Sequence, residues 1–172
     1  NRVAAREAMI AHPIDPDRTV VRINPAGTGD YRRDLAAVVE TNYRVVLQAK
    51  AQDTASILDT SLQTIALIET PLGATRAHEI AETVNCIGLM WGAEDLVAGL
   101  GGKSSRFGPD EKHPGQYRDV ARWVRSMTRI AAAAHGKFAI DSVHLDINDT
   151  AGLIDEVRDL SLIHISEPTR PY

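Results

Sequence analysis

Apolar positions along the chain fall into two alternating patterns. Short β-branched or wholly apolar runs at 19–24, 43–47, 64–69, 86–91 and 138–143 predict five strands. Apolar residues at three- and four-residue steps predict helices over 33–40, 52–62, 73–84, 117–135 and 149–160, with one more at 2–11 ahead of the first strand. The longest of these, 117–135, carries Val120, Trp123, Val124, Met127, Ile130 and Ala131 on its apolar side. Local punctuation agrees with the pattern. Pro13 and Pro16 end the first helix, Pro25, Gly27 and Gly29 stop the first strand, and Asp149 is placed to cap the last helix. Gly136 closes the longest helix, and residues 99–116, rich in Gly, Ser, Pro and charge, read as a long surface loop.

Strands that are apolar throughout and alternate with helices predict an α/β fold with a parallel sheet covered on both sides. Two architectures satisfy this, a (β/α) barrel and a doubly wound sheet. An eight-unit barrel needs about 250 residues, and this chain has 172. The expectation is therefore either an open five-stranded sheet or a barrel lacking some of its units. No internal repeat is visible beyond the alternation itself.

Composition narrows the function classes. With 19 Lys and Arg against 23 Asp and Glu, 44% hydrophobic and 24% charged residues, the chain has the make-up of a folded domain rather than a disordered one. A net charge of −4 without a basic block argues against a binder of nucleic-acid backbones. One cysteine, Cys86, allows neither an intrachain disulfide nor a multi-cysteine zinc site and reads as core. No apolar run reaches the roughly 18 residues that span a bilayer, and residues 1–6 lack a signal-peptide pattern. The expected setting is the reducing cytoplasm, with neither a membrane nor nucleic acid as partner.

Candidate chemistry collects at the strand ends, where α/β folds build their sites. Arg22 and Asn24, Lys50, Glu69, Asp95 and Asp141 lie there. Glu69 closes an apolar run, a costly place for a carboxylate unless it is paired or metal-bound. If the strands carrying Glu69 and Asp95 are neighbours, the two carboxylates converge, and such a pair suits Mg²⁺, which takes few protein ligands. The plainer alternative has Glu69 paired with an arginine and Asp95 capping the helix that begins near Glu94. Arg22 can hold a carboxylate or a developing oxyanion, or can form a buried ion pair with Glu69.

Other signals fail on inspection. Gly101-Gly102-Lys103-Ser104 lacks the first glycine of a phosphate loop, since Val97 stands there. Asp146, Asn148 and Thr150 open like a calcium loop, but Ala151 and Val157 occupy its glycine and glutamate positions. His144 and Asp146 read as a surface pair rather than metal ligands, and Trp91 and Trp123 as packing residues.

Four segments taken together resemble a known family: Arg22-Ile23-Asn24-Pro25, Ala66-Leu67-Ile68-Glu69-Thr70-Pro71-Leu72-Gly73, Trp91-Gly92-Ala93-Glu94-Asp95-Leu96 and Ala139-Ile140-Asp141-Ser142-Val143. They look like the signatures of the HpcH/HpaI aldolase and citrate lyase beta-subunit-like family, in order, over residues 1–160. The resemblance implies a TIM-barrel, Mg²⁺-dependent lyase that makes or breaks a carbon–carbon bond between an acyl-CoA and a 2-oxo acid. Malyl-, citramalyl- and citryl-CoA-like substrates are the candidates. Within the same family a thioesterase is the alternative, and outside it a non-catalytic protein that binds the metal and the 2-oxo acid or CoA ester. By resemblance Glu69 and Asp95 hold the metal, Arg22 contacts the substrate oxyanion with Asn24 supporting it, and the backbone N–H groups of Gly92, Ala93 and Glu94 receive the 2-oxo acid carboxylate. A homotrimer or homohexamer is the implied assembly. The chain departs from the family in three places. The family's first strand would precede Asn1, so the strands here correspond to the second to sixth of eight. Leu47-Gln48-Ala49-Lys50 stands where the family commonly has Pro-Lys, so the resemblance assigns Lys50 no role. Residues 161–172 match no family segment and read as a tail foreign to the fold, leaving 1–160 as an incomplete barrel domain.

Overall fold

The computed structural model describes residues 1–162. A helix α1 (Arg2–Ala11) and a 3₁₀ turn (Pro16–Arg18) lead into β1 (Val21–Ile23), α2 (Gly29–Val39), β2 (Val45–Gln48), α3 (Thr54–Asp59) and β3 (Gln63–Ile68). Two short helices, α4 (Pro71–Thr75) and α5 (Ala77–Glu82), precede β4 (Cys86–Trp91), followed by α6 (Ala93–Gly99), α7 (Asp119–Ala134), β5 (Phe138–Ile140) and α8 (Thr150–Ser161). The five predicted strands are all present and all pair in parallel, in the order β1-β2-β3-β4-β5. A doubly wound sheet reverses its strand order at a switch point. This sheet does not.

The helix starts are written in single side chains. Thr28 accepts from the Tyr31 N–H, Asp53 from Ser56, Thr70 from Gly73 and Asp149 from Gly152. These caps explain where the elements depart from periodicity. Thr28 starts α2 four residues ahead of the predicted 33, and Asp53 opens α3 after the predicted start at 52. The predicted helix 73–84 is two helices, broken where Arg76 leaves helical geometry.

On one sheet face Ala66, Ile68, Leu89, Trp91 and Ala139 pack against Ile57, Ala77, Ile80, Leu96, Ala121 and Val124 from the helices. Alanines on α5 and α7 let these two helices lie close together and on the sheet. A smaller cluster of Ile23, Tyr31, Val38, Tyr43 and Val46 fills the β1 end. The other face is less covered than predicted. Ile65 and Leu67 are buried at its centre, but Leu47, Met90 and Ile140 are half-buried and Phe138 is exposed.

Trp91 is buried edge-on to Tyr117 and Cys86 is core, as expected. Trp123 is 52% exposed on the outer side of α7, so it is not a packing residue within this chain. The expected surface pair of His144 and Asp146 is also corrected. The His144 side chain is largely buried, with Nδ1 2.8 Å from Glu156, while Asp146 accepts from the Asn148 N–H in a local turn. Among the described residues no helix is long and apolar enough to cross a membrane. Ser161 ends α8; the rest of the tail expected over 161–172 lies, from residue 163 on, outside the described residues.

Candidate functional site

Strand register decides which side chains can meet. Arg22 pairs with Leu47 and Leu47 with Ile65, so all three point to the less covered face. Glu69 lies two residues past Leu67 and projects to that same side. Arg22 Nη2 comes within 3.8 Å of Glu69 Oε1. Asp95, in the first turn of α6, is reached across the end of β3 by Lys50, which follows β2 and whose Nζ donates to Asp95 Oδ1 at 2.8 Å. The backbone N–H of Lys50 donates to Glu69 Oε1 at 3.1 Å. Lys50 thus touches both carboxylates at once, and it does so from a left-handed backbone, φ +50°. An L side chain rarely adopts that conformation, and it is kept where surrounding contacts outweigh its cost.

Arg22, Glu69 and Asp95 therefore stand together, as the sequence suggested. Asp95 is not a helix cap: α6 has no side-chain cap, and the Asp95 carboxylate goes to Lys50. Arg22 is not a buried ion-pair partner either, because its side chain is 62% exposed while that of Glu69 is 5% exposed. Asn24 does not support Arg22. Its backbone N–H and side-chain amide both donate to Asp34 Oδ2, at 2.8 and 2.6 Å. Two of the three expected backbone donors are already engaged. The Gly92 N–H donates to the Ile68 carbonyl and the Ala93 N–H to Ser142 Oγ, so neither points free into the site, and the Glu94 carboxylate accepts from Ser105. Gly92 contributes space instead. A Cβ there would lie 2.9 Å from both Cβ and Oε2 of Glu69. Asp141 is a buried hub that takes the Trp91 indole N–H and faces Arg125 at 3.4 Å, holding the ends of β4 and β5 together. Lys50 is the strand-end candidate to which the sequence reading gave no role. Its signal lay in its position, one strand before Glu69, at the end of β2.

The electrostatics follow from this packing. Burial, reinforced by the charge of Asp95, pushes the Glu69 carboxyl above its ordinary value, and Lys50 and Arg22 only partly offset it. The hydrogen bond to Asp95 raises the Lys50 ammonium. A cleft of about 380 Å³ opens beside the pair, lined by Arg2, Arg22, Asn24, Pro25, Ala49 and Lys50. Three cations and no carboxylate line it, which suits an anionic ligand. Among the described residues no third His, Cys, Asp or Glu joins Glu69 and Asp95.

The family model for HpcH/HpaI aldolase/citrate lyase matches residues 2–163. The chain belongs to that family. Its members include a citrate lyase subunit beta-like protein of Mycobacterium tuberculosis, 50% identical over 161 residues, which cover 93% of this chain and 57% of that protein. The chain thus spans little more than half the length of this curated relative. Two solved structures from M. tuberculosis superpose with 49% identity over 95% of this chain. One is a citrate lyase beta subunit complexed with oxaloacetate and magnesium, with a TM-score of 0.90 over 71% of that chain. The other is the protein CitE in complex with magnesium, acetoacetate and coenzyme A, with a TM-score of 0.91 over 60% of that chain. Membership in this aldolase/lyase family makes the strand-end cluster of Arg22, Lys50, Glu69 and Asp95 the candidate active site.

Proposed function

We propose that this chain is a sector of a (β/α)₈ lyase barrel that binds Mg²⁺ through Glu69 and Asp95 and acts on the bond between an acyl-CoA and a 2-oxo acid. The unreversed parallel strand order supports the barrel reading. The observation that carries the function is the buried Glu69 carboxylate beside Asp95, with Lys50 and Arg22 as the cations on them. Hard carboxylate oxygens, few in number, are the donor set Mg²⁺ takes while keeping room for substrate oxygens. Burial raises Glu69 and the charge of Asp95 adds to it, and a divalent cation would offset both. The magnesium bound to the two relatives supports the same choice.

The favoured substrates are 3-hydroxyacyl-CoA esters of the malyl, citramalyl or citryl type. In the cleavage direction the bond between C2 and C3 breaks and the 3-hydroxyl loses its proton to become the carbonyl (the aldehyde or ketone) of the 2-oxo acid. The thioester fragment takes up a proton at C2 to leave as acyl-CoA. Bound Mg²⁺ supplies Lewis-acid polarisation of that carbonyl oxygen. Arg22, exposed at the cleft and 3.8 Å from Glu69, would offer its guanidinium to the negative charge that builds on that oxygen. Lys50 holds Asp95 and Glu69 in register, and the cationic lining that it shares with Arg2 and Arg22 favours the anionic carboxylate of the substrate.

The test is to incubate the chain with Mg²⁺ and malyl-, citramalyl- or citryl-CoA, following 2-oxo acid and free thiol separately. Release of 2-oxo acid without free thiol is the expected lyase result. Free thiol without 2-oxo acid marks a thioesterase. Metal-dependent thermal stabilisation by 2-oxo acids without turnover marks a binding protein, and no response to metal or ligand overturns the site.

A further inference from the structure

Away from the strand-end site, His78 on α5 and His135, which caps the carboxyl end of α7, bring their rings together at the surface. His135 Nε2 and His78 Nδ1 are 3.1 Å apart, and the ring centroids are 4.5 Å apart with planes inclined at 52°. Those two distances do not describe rings facing each other along one hydrogen bond. A nitrogen sits about 1.1 Å from its ring centroid, so a collinear bond of this length would separate the centroids by about 5.3 Å. The rings are tilted rather than collinear, and the same 3.1 Å that lets one nitrogen donate to the other is close to the separation two imidazoles take up on one metal. Two imidazoles on one metal at about 2.1 Å and a right angle would place their nitrogens about 3.0 Å and their centroids about 4.6 Å apart. A tetrahedral angle would spread the same pairs to about 3.4 and 5.3 Å. The observed pair matches the right angle.

We infer that His78 and His135 form a two-histidine clamp for a divalent transition-metal cation. Imidazole donors at a right angle suit square or octahedral ions, Ni²⁺ and Cu²⁺ above all. Both donors are already in place on packed elements. Ala77, Ile80 and Ala81 seat α5 in the core that also takes Ala131 and Ala132 of α7. The turn after His135 is pinned by Gly136 N–H to Ala133 and Lys137 N–H to Ala132, the latter at 2.8 Å. Gly136 makes that turn in the left-handed region, φ +65°. The 16-residue α7 directs the negative end of its dipole toward this corner, which favours a cation there. Among the described residues no third His, Cys, Asp or Glu completes a cluster, so water takes the remaining positions and the ion stays open to a further ligand. The clamp is independent of the carboxylate site in both place and donor chemistry.

The experiment is calorimetric titration of the chain with Ni²⁺ in saturating Mg²⁺, which occupies carboxylate oxygens and leaves imidazoles free. One equivalent is expected to bind. His78→Ala and His135→Ala should each weaken it at least tenfold, while Glu69→Gln leaves it unchanged. His78→Gln, which keeps a polar group on the ring of His135 but no imidazole, should behave as His78→Ala does. In the unsubstituted chain, paramagnetic broadening by Cu²⁺ should centre on residues 76–80 and 133–137. Unaltered Ni²⁺ affinity in the two alanine variants, or broadening centred at His12 or His113, overturns the clamp.

Discussion

At the scale of single residues, the site turns on one carboxylate placed where a carboxylate is expensive. Glu69 is raised by burial and by Asp95, so between its ordinary value and its raised folded value the folded chain binds more protons than the unfolded one. The contribution of Glu69 to stability is therefore greatest on the acid side and falls as pH rises through that window. In metal-free solution Glu69→Gln should flatten this slope and raise stability near neutral pH by about 1 kcal/mol, the scale of relieving one poorly solvated group. That corresponds to about 2–4 °C in the melting midpoint, with Mg²⁺ stabilisation lost. A destabilised Glu69→Gln chain that still responds to Mg²⁺ would contradict the assignment. Lys50 separates backbone from side chain. Glycine takes a left-handed φ without strain, so Lys50→Gly keeps the N–H on Glu69 and loses only the ammonium, whereas Lys50→Met loses the ammonium and keeps the strain. The glycine variant should melt above the methionine variant by several tenths to about 1 kcal/mol. Equal loss of Mg²⁺ response in both would assign the effect to the ammonium. None of this was visible in the residue type of Lys50. The two contacts exist because a turn after β2 carries the residue back toward β3, and periodicity does not report that turn.

At the scale of elements, α4 is the part that positions the turn. A Cβ on Gly73 would lie 2.2 Å from the Ala51 carbonyl oxygen, so α4 lies directly on the segment that follows Lys50. Ala51 in turn donates its N–H to Leu67 in β3. Gly73→Ala should push the two segments apart, costing about 1–3 kcal/mol in a denaturant melt. Because Lys50 moves with Ala51, the loss of Mg²⁺ response should exceed the loss of stability. Full Mg²⁺ stabilisation in a weakened Gly73→Ala chain would show that the turn is not held by α4. The elements themselves were largely legible. Strand spans came from apolar runs, and Asp149 caps the last helix where side-chain chemistry alone would put it. The break at Arg76 was not legible, because 73–84 keeps helical spacing across it.

For the whole described molecule, α8 is fastened by ionic contacts rather than by a large apolar face. Arg106 and His144 both bond Glu156, and Arg125 reaches Asp159 at 3.2 Å. Leu160 is the one α8 residue buried in the core. Burial alone would push the Glu156 carboxyl up, but the bonds from Arg106 and His144 outweigh it and hold the group below its ordinary value. This stability is present above the ordinary glutamate value and is lost as pH falls through the lowered one, the reverse of the Glu69 slope. Glu156→Gln should release α8 first, seen as faster amide exchange over 150–161 with β3 and β4 still protected. Uniform loss of protection across the sheet would mean α8 is integral to the core.

The sequence alone determined the alternation of strands and helices, the parallel sheet, the cap at Asp149 and the place of Arg22, Glu69 and Asp95 at strand ends. Each depends on spacing within a short stretch or on the fixed rule that parallel strand ends share one side. Only the tertiary structure decided which of the nearby groups were already committed. Asn24 is held by Asp34, the Gly92 N–H by Ile68, and His144 by Glu156. Lys50, which carries no motif, bridges the two carboxylates. Hydrogen bonds between residues distant in sequence are set by distances of a few tenths of an ångström, and no periodicity in a one-dimensional pattern encodes them.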